Sequence, residues 1–194
     1  MKFRQTWTAI RAMLILTVTL GIVYPLVVTG VGQLALPAQA NGSLVRVDGA
    51  VVGSTLIGQS FTDANGTALP EWFQSRPSAA GDGYDGGASS GSNWGPENAD
   101  LIKAIQARRD AIERVDGASG VPADALTASG SGLDPHISPA YARLQVASVA
   151  EARGLPEGEV SDLVESMIQQ RDLGYLGEPT VNVLQLNIAV AKLG

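Results

Sequence analysis

Residues 12–36 read AMLILTVTLGIVYPLVVTGVGQLAL, 25 positions without a charge. As a helix this run is roughly 37 Å long at about 1.5 Å per residue, more than the roughly 30 Å hydrocarbon core of a bilayer. Lys2, Arg4 and Arg11 precede it, and the first acid, Asp48, follows it. That asymmetry predicts a cytoplasmic N-terminus over residues 1–11, a transmembrane helix over 12–36, and an extracytoplasmic domain over 37–194. Trp7 suits an interfacial anchor. A secretory signal fits the same stretch in part, because basic residues, an apolar run and AQA at Ala38–Ala40 occur in the right order. The run far exceeds the usual roughly 7–15 residues of such a signal, which favours an anchor; cleavage would instead leave a secreted binding protein.

Within the span, Pro25 removes one backbone hydrogen bond, a loss that membrane helices absorb by local adjustment. Thr17, Gly21 and Pro25 recur at i, i+4 and i+8, a stripe of small residues against which another transmembrane helix can pack closely. One span with a packing face points to a subunit of something larger.

From Arg46 onward there are ten basic and nineteen acidic residues, so the body carries a charge of −9 within a whole-chain total of −6. Such a surface repels nucleic acid and attracts cations, so nucleic acid is excluded as a partner. There is no cysteine. Disulfides, thiolate catalysis and cysteine metal sites are excluded with it.

The body reads as a single α+β domain. SLVRVDGAVVG, Ser43–Gly53, is two β-prone runs about an Asp48-Gly49 turn, hence a hairpin. The segment 77–96 is Gly/Ser-rich and has neither helical nor strand period; it is a long loop, either ordered for a purpose or flexible. A helix follows over PENADLIKAIQARRDAIERV, with Pro96 in its first turn and Leu101, Ile102, Ile105 and Ile112 on one side. A second starts at Ser138 as N-cap with Pro139 behind it and stops at Gly154, its stripe being Tyr141, Leu144 and Val149. A third runs from Pro156 to about Leu173. The tail TVNVLQLNIAV opens with alternation and reads as a strand.

Several patterns mimic chemistry. GDGYDG, Gly81–Gly86, matches a dinucleotide fingerprint in spelling only: no strand precedes it, no helix follows, and Asp82 and Asp85 repel phosphate. Those two acids are also too few for calcium, which needs about six to eight oxygens. No phosphate-binding loop with its lysine is present. TASGSGLDPHISP, Thr127–Pro139, holds the only histidine. It lacks the strand–elbow–helix context of a serine nucleophile, so no catalytic residue and no metal ligand is assigned. The plainer reading is a turn: Gly130 and Gly132 for positive φ, Pro135 to fix a corner, Ser138-Pro139 to launch a helix, and His136 to satisfy loop carbonyls.

GSTLIGQSF, RPSAA, SGSNWGPEN, VPADALTASGSGLDPHISP, VAEARGL and PTVNVLQLN, in this order, together with YPL at Tyr24–Leu26, resemble the C-subunit family of the bacterial Kdp potassium-transporting P-type ATPase. The likeness spans nearly the whole chain; Trp94 replaces a usual leucine and the loop Asp63–Glu71 looks lengthened. It implies a non-catalytic accessory subunit of the inner-membrane complex, single-pass, beside a potassium-channel-like subunit, a P-type ATPase subunit and a small membrane subunit. ATP, magnesium and potassium are used by the complex, and none is bound by this chain alone. The family is described as a catalytic chaperone that raises the ATP affinity of the pump subunit. By that likeness Gln145 contacts nucleotide, and Ser129, Gly130, Gly132, Asp134, His136 and Ser138 form a signature loop that is structural or faces a partner. An outer location conflicts with such a contact, since ATP lies across some 30 Å of hydrocarbon. Stabilising the assembly and capping the potassium entry mouth with an acidic face are the roles compatible with it.

Overall fold

The computed structural model describes residues 2–116 and 120–194. The chain divides into two compact units, Met1–Val52 and Gly53–Gly194.

The first unit is dominated by one long helical rod. Helix α1 (Lys2–Val18) passes through a widened π turn (Thr19–Val23) into α2 (Tyr24–Ala35). The widening sits immediately before Pro25, which has no N–H to donate to the Gly21 carbonyl and whose ring would press on it. Adding a residue to the turn upstream relieves that conflict. Tyr24 accordingly reaches back to the Thr19 carbonyl. The most apolar 18-residue stretch of the helix Phe3–Ala35 has a mean hydropathy of 2.2, and none of that stretch is buried within the chain. A short helix, α3 (Pro37–Ala40), is tied back by Asn41, whose side-chain amide donates to Gln33 Oε1 at 3.0 Å and to the Pro37 carbonyl at 2.7 Å. The hairpin is present as β1 (Leu44–Val47) and β2 (Ala50–Ser54). Its corner residues Asp48 and Gly49 have φ of 50° and 82°, the left-handed pair that a type I′ turn requires.

In the second unit, α4 (Ala99–Asp116) begins three residues later than the proline suggests. Asn98 caps it, accepting from Asp100 N at 2.7 Å, and Pro96 lies outside. Ile102 is 57% exposed, so the apolar side of α4 is narrower than its spacing predicts. After the single turn α5 (Ala123–Leu126), the dipeptide β3 (His136–Ile137) leads into α6 (Pro139–Leu144) and α7 (Val146–Arg153). Ser138 caps α6 through its hydroxyl, and Gly154, at φ 65°, ends α7, both as expected.

Three expectations fail. The single helix expected from Ser138 to Gly154 is broken at Gln145 into α6 and α7. Helix α8 covers only Glu157–Ser166, and residues beyond it fold back through bridges Gln169–Thr180 and Asp172–Leu176, turning at Leu173 and Gly174 with φ of 53° and 81°. The glycine at the corner permits a turn that a continued helix would not. The tail is a strand for two residues only, β4 (Val181–Asn182), and then helix α9 (Val183–Val190). Asn182 caps α9, accepting from Gln185 N at 3.1 Å. Val183, Leu186 and Val190 are all buried on the inner face, a helical spacing that the β-branched composition hid. β3 and β4 pair antiparallel, His136 opposite Asn182 and Ile137 opposite Val181.

The core gathers Phe73, Ile137, Val149, Val160, Val164, Val181, Leu186 and Val190. Phe73 is the member that comes from irregular chain. Its peptide is held by Asn187 of α9, 1% exposed: Phe73 N donates to Asn187 Oδ1 at 2.8 Å, and Asn187 Nδ2 donates to the Phe73 carbonyl at 2.9 Å. Replacing Asn187 by Ala orphans a buried N–H and a buried C=O together. We expect Asn187→Ala to cost about 2–4 kcal/mol, lowering the melting temperature by roughly 5–15 °C, as read by thermal unfolding of the purified chain in detergent.

Candidate functional site

Thr127–Pro139 lines an open depression of about 530 Å³ together with Leu56, Ile57 and Arg76, and it crosses the Gly/Ser-rich segment and locks it. Ser129 N donates to the Pro77 carbonyl at 2.9 Å. Ser78 Oγ donates to the Gly132 carbonyl at 2.6 Å and accepts from Ala80 N and Tyr84 N. Ser89 Oγ donates to the Ser131 carbonyl at 2.9 Å. The segment 77–91 is therefore ordered by its crossing, and GDGYDG within it is a chain of turns with no helix after it until Ala99.

The glycines of the corner divide. Gly132 has φ 69°, and a Cβ there would sit 2.5 Å from Ser90 O and 2.8 Å from Ala80 N, both backbone atoms. Gly130, expected to need the same freedom, does not adopt positive φ, and a Cβ on it would meet nothing within 4 Å. Close packing here falls on its neighbour instead: a Cβ on Gly91 would lie 2.7 Å from the Gly130 carbonyl oxygen.

The charged members form a structural knot. Asp134 accepts from Arg76 Nη1 at 3.1 Å and from His136 N at 3.0 Å, with His136 Nδ1 at 3.6 Å. These bonds, the one with His136 foremost, hold the Asp134 carboxyl below the ordinary carboxylate range. His136 thus faces a carboxylate rather than loop carbonyls. No serine hydroxyl bonds to His136 among the described residues, so Asp134, His136 and a serine do not assemble a relay. Ser138 is held by Asp124, whose oxygens accept from Ser138 N at 2.7 Å and Ser138 Oγ at 3.0 Å while Ser138 caps α6. Tyr84 closes the knot, its hydroxyl donating to the Arg76 carbonyl at 2.7 Å; burial pushes the phenol up to about 12.

Gln145 sits at the joint between α6 and α7 and is 4% exposed. Its backbone N–H turns to the Ala142 carbonyl, and its Nε2 takes up the Tyr141 carbonyl at 3.2 Å. Its Oε1 accepts from Gln74 N at 2.6 Å and Nε2 donates to the Gln74 carbonyl at 3.3 Å. The carboxamide is wholly occupied by backbone. Thr17, Gly21 and Pro25 lie in the other unit, around the widened turn, where a Cβ on Gly21 would meet nothing within 4 Å.

Sequence reading missed Gln74, Arg76, Asp124, Asn182 and Asn187. Arg76 lies inside RPSAA, and Asn182 and Asn187 inside PTVNVLQLN. Local spacing carried no signal for these roles, since their partners lie 14 to 127 residues away.

The corner makes a sharp contrast. Gly132→Ala should destabilise by at least about 2 kcal/mol, because it forces strained φ into backbone atoms that cannot yield. Gly130→Ala should stay within about 1 kcal/mol of the native protein. Denaturant or thermal unfolding of both variants checks this, and equal losses would contradict the assignment.

Set against known proteins, residues 6–192 match the family model described as "KdpC: K+-transporting ATPase, c chain". The chain is 56% identical over 189 residues to the potassium-transporting ATPase KdpC subunit of Kineococcus radiotolerans, covering 96% of this chain and 93% of that one. It is 55% identical over 183 residues to the subunit of that name from Caulobacter vibrioides, covering 94% and 90%. With the Mycobacterium tuberculosis subunit it shares 50% over 193 residues, covering 98% and 99%. With the family model matched over nearly its whole length and relatives of this identity, the chain belongs to the KdpC family of K+-transporting ATPase c chains.

Proposed function

We propose that this chain is the accessory, non-hydrolysing subunit of an ATP-driven potassium-uptake complex of the bacterial inner membrane. Its helix crosses the bilayer once, and its acidic domain lies on the outer face. The potassium-channel-like and P-type subunits do the selecting and the hydrolysing, with ATP and magnesium on the latter and a small membrane subunit alongside. The observation that carries the reading is the 33-residue helix Phe3–Ala35, uncharged from Ala12 onward and buried nowhere in its own chain. A surface of that kind needs lipid or another helix against it. Lys2, Arg4 and Arg11 at one end favour an inward N-terminus. The charge of −9 beyond Arg46 suits a domain at a potassium entry mouth, where it raises local cation concentration.

The chaperone role implied by family resemblance is compatible with this on one condition: its effect on the ATP affinity of the pump subunit passes through the assembly. A nucleotide bond from Gln145 would have to strip the Gln74 peptide of both its partners. The signature residues Ser129, Gly132, Asp134, His136 and Ser138 are consumed in the same manner by internal hydrogen bonds.

Purification of the tagged chain from membranes of potassium-starved cells in mild detergent should co-elute a large channel-like protein and a P-type ATPase, with potassium-stimulated ATPase activity in the eluate. Recovery of the chain alone, lacking its first forty residues, would refute the subunit reading in favour of a secreted protein. Within the purified complex, Gln145→Ala should reduce thermal stability and leave the apparent KM for ATP of the surviving pump within about twofold of wild type, since uniform binding energy is not removed. A tenfold or larger rise in that KM at unchanged subunit content would restore Gln145 as a nucleotide contact.

A further inference from the structure

The second unit holds a cleft of about 590 Å³, with Gln74, Arg76 and the internally bonded Gln145 among its lining residues. Its volume lies in the range of small-molecule sites. Aromatic and aliphatic side chains make its walls, Phe61, Trp72, Tyr84, Tyr141 and Val149 among them. The walls are fixed before any ligand arrives. Arg153 stacks on the Trp72 indole 4.1 Å from the ring centroid and donates from Nε to the Glu71 carbonyl at 2.5 Å. Phe61 lies against the same indole, centroids 6.1 Å apart. The Tyr84 hydroxyl is tied to the Arg76 carbonyl.

One charged group in this lining is uncompensated. Arg108, half-buried on α4, donates from Nη1 to the Leu126 carbonyl at 2.7 Å, and among the described residues no carboxylate lies within ion-pair distance of it. Desolvation alone acts on it, lowering its affinity for its proton. A guanidinium carries five donors, and burying it without a counter-charge is costly. Arg76, the other cation in the lining, already has Asp134. Asp82, exposed at the cleft, disfavours a second negative charge on anything that enters.

We propose that this cleft is a binding site for a small organic monoanion with an apolar body, the acid group paired with Arg108 and the body lying against Trp72, Phe61 and Tyr84. A neutral ligand leaves Arg108 unpaired; a polyphosphate meets one free cation and a carboxylate. The site is independent of the assembly role.

The full chain in nonionic detergent, titrated calorimetrically with 4-phenylbutyrate and with 4-phenylbutanamide, tests it. The acid should bind saturably and at least tenfold more tightly than the amide. Partition into micelles favours the neutral amide, so it cannot imitate that order. Arg108→Gln should weaken the acid tenfold or more, Arg108→Lys should retain part of the affinity, and Arg109→Gln, on the exposed neighbour, should change nothing. No saturable binding of the acid, equal affinity for acid and amide, or full affinity in a folded Arg108→Gln protein would each overturn the proposal. So would tighter binding of ATP than of phenylbutyrate with competition between them. Should Arg108→Gln fail to fold, the acid–amide comparison on the native chain still decides.

Discussion

Two side-chain amides hold one dipeptide, and the second unit is organised around that grip. Phe73 and Gln74 belong to no helix or strand, yet Phe73 is fully buried in the core. In extended chain, successive N–H and C=O pairs face opposite ways. Asn187 therefore takes the peptide of Phe73 from one side, and Gln145 that of Gln74 from the other. Each amide supplies the donor and acceptor that a neighbouring strand would supply. Irregular chain can enter a core only if its backbone polar groups are satisfied, and here two helices satisfy them. Asn182 repeats the device at the edge, its Nδ2 donating to the Thr55 carbonyl while its Oδ1 caps α9. The helices α6, α7 and α9 are thereby fastened to the long loops of residues 55–77 by polar contacts as well as by the apolar core.

The same economy governs the corner at Thr127–Pro139. Two loops cross there, and loops crossing at backbone distance need a residue without a side chain at the point of contact. Gly132 supplies it, against Ala80 and Ser90. Hydroxyls of Ser78 and Ser89 then staple the crossing, and Asp134 gathers Arg76 and His136 on its two oxygens. A loop rich in serine, glycine, acid and histidine resembles an active site in composition because both need short polar side chains near backbone. What separates them is whether those groups are spent internally. Here they are.

Much of this was legible, and the gaps have physical causes. The uncharged run of residues 12–36, the Asp48-Gly49 turn, the Ser138 cap and the Gly154 stop all rest on local chemistry, which a sequence displays directly. The reading failed where tertiary contacts override local preference. Val181, Val183 and Ile188 look like strand, but Asn182 caps a helix instead, and the buried spacing Val183, Leu186, Val190 decides the matter. Helix α8 stops at Ser166 where the apolar spacing continued, because Gly174 and Gly177 allow the chain to fold back. Gln145 and Asn187 carried no signal at all as backbone clamps. Their partners lie 71 and 114 residues away, a separation at which no periodicity speaks.

The two units differ in how far they complete themselves, and the difference bears on function. The second unit has an apolar core of its own and satisfies most of its buried polar groups, the peptide of Phe73 included, with Arg76 Nε the exception among the described residues. The helix of the first unit satisfies its backbone almost entirely, including the widened turn that absorbs Pro25, and covers none of its side chains. Backbone satisfaction without side-chain cover is the condition for stability in lipid, where unpaired peptide groups are far costlier than exposed leucines. Such a helix is finished as a membrane segment and unfinished as a packed one. Small residues at Thr17 and Gly21 leave room for a neighbour to approach. A self-sufficient domain on an open-faced helix is the form expected of a part whose work is done in contact with other parts.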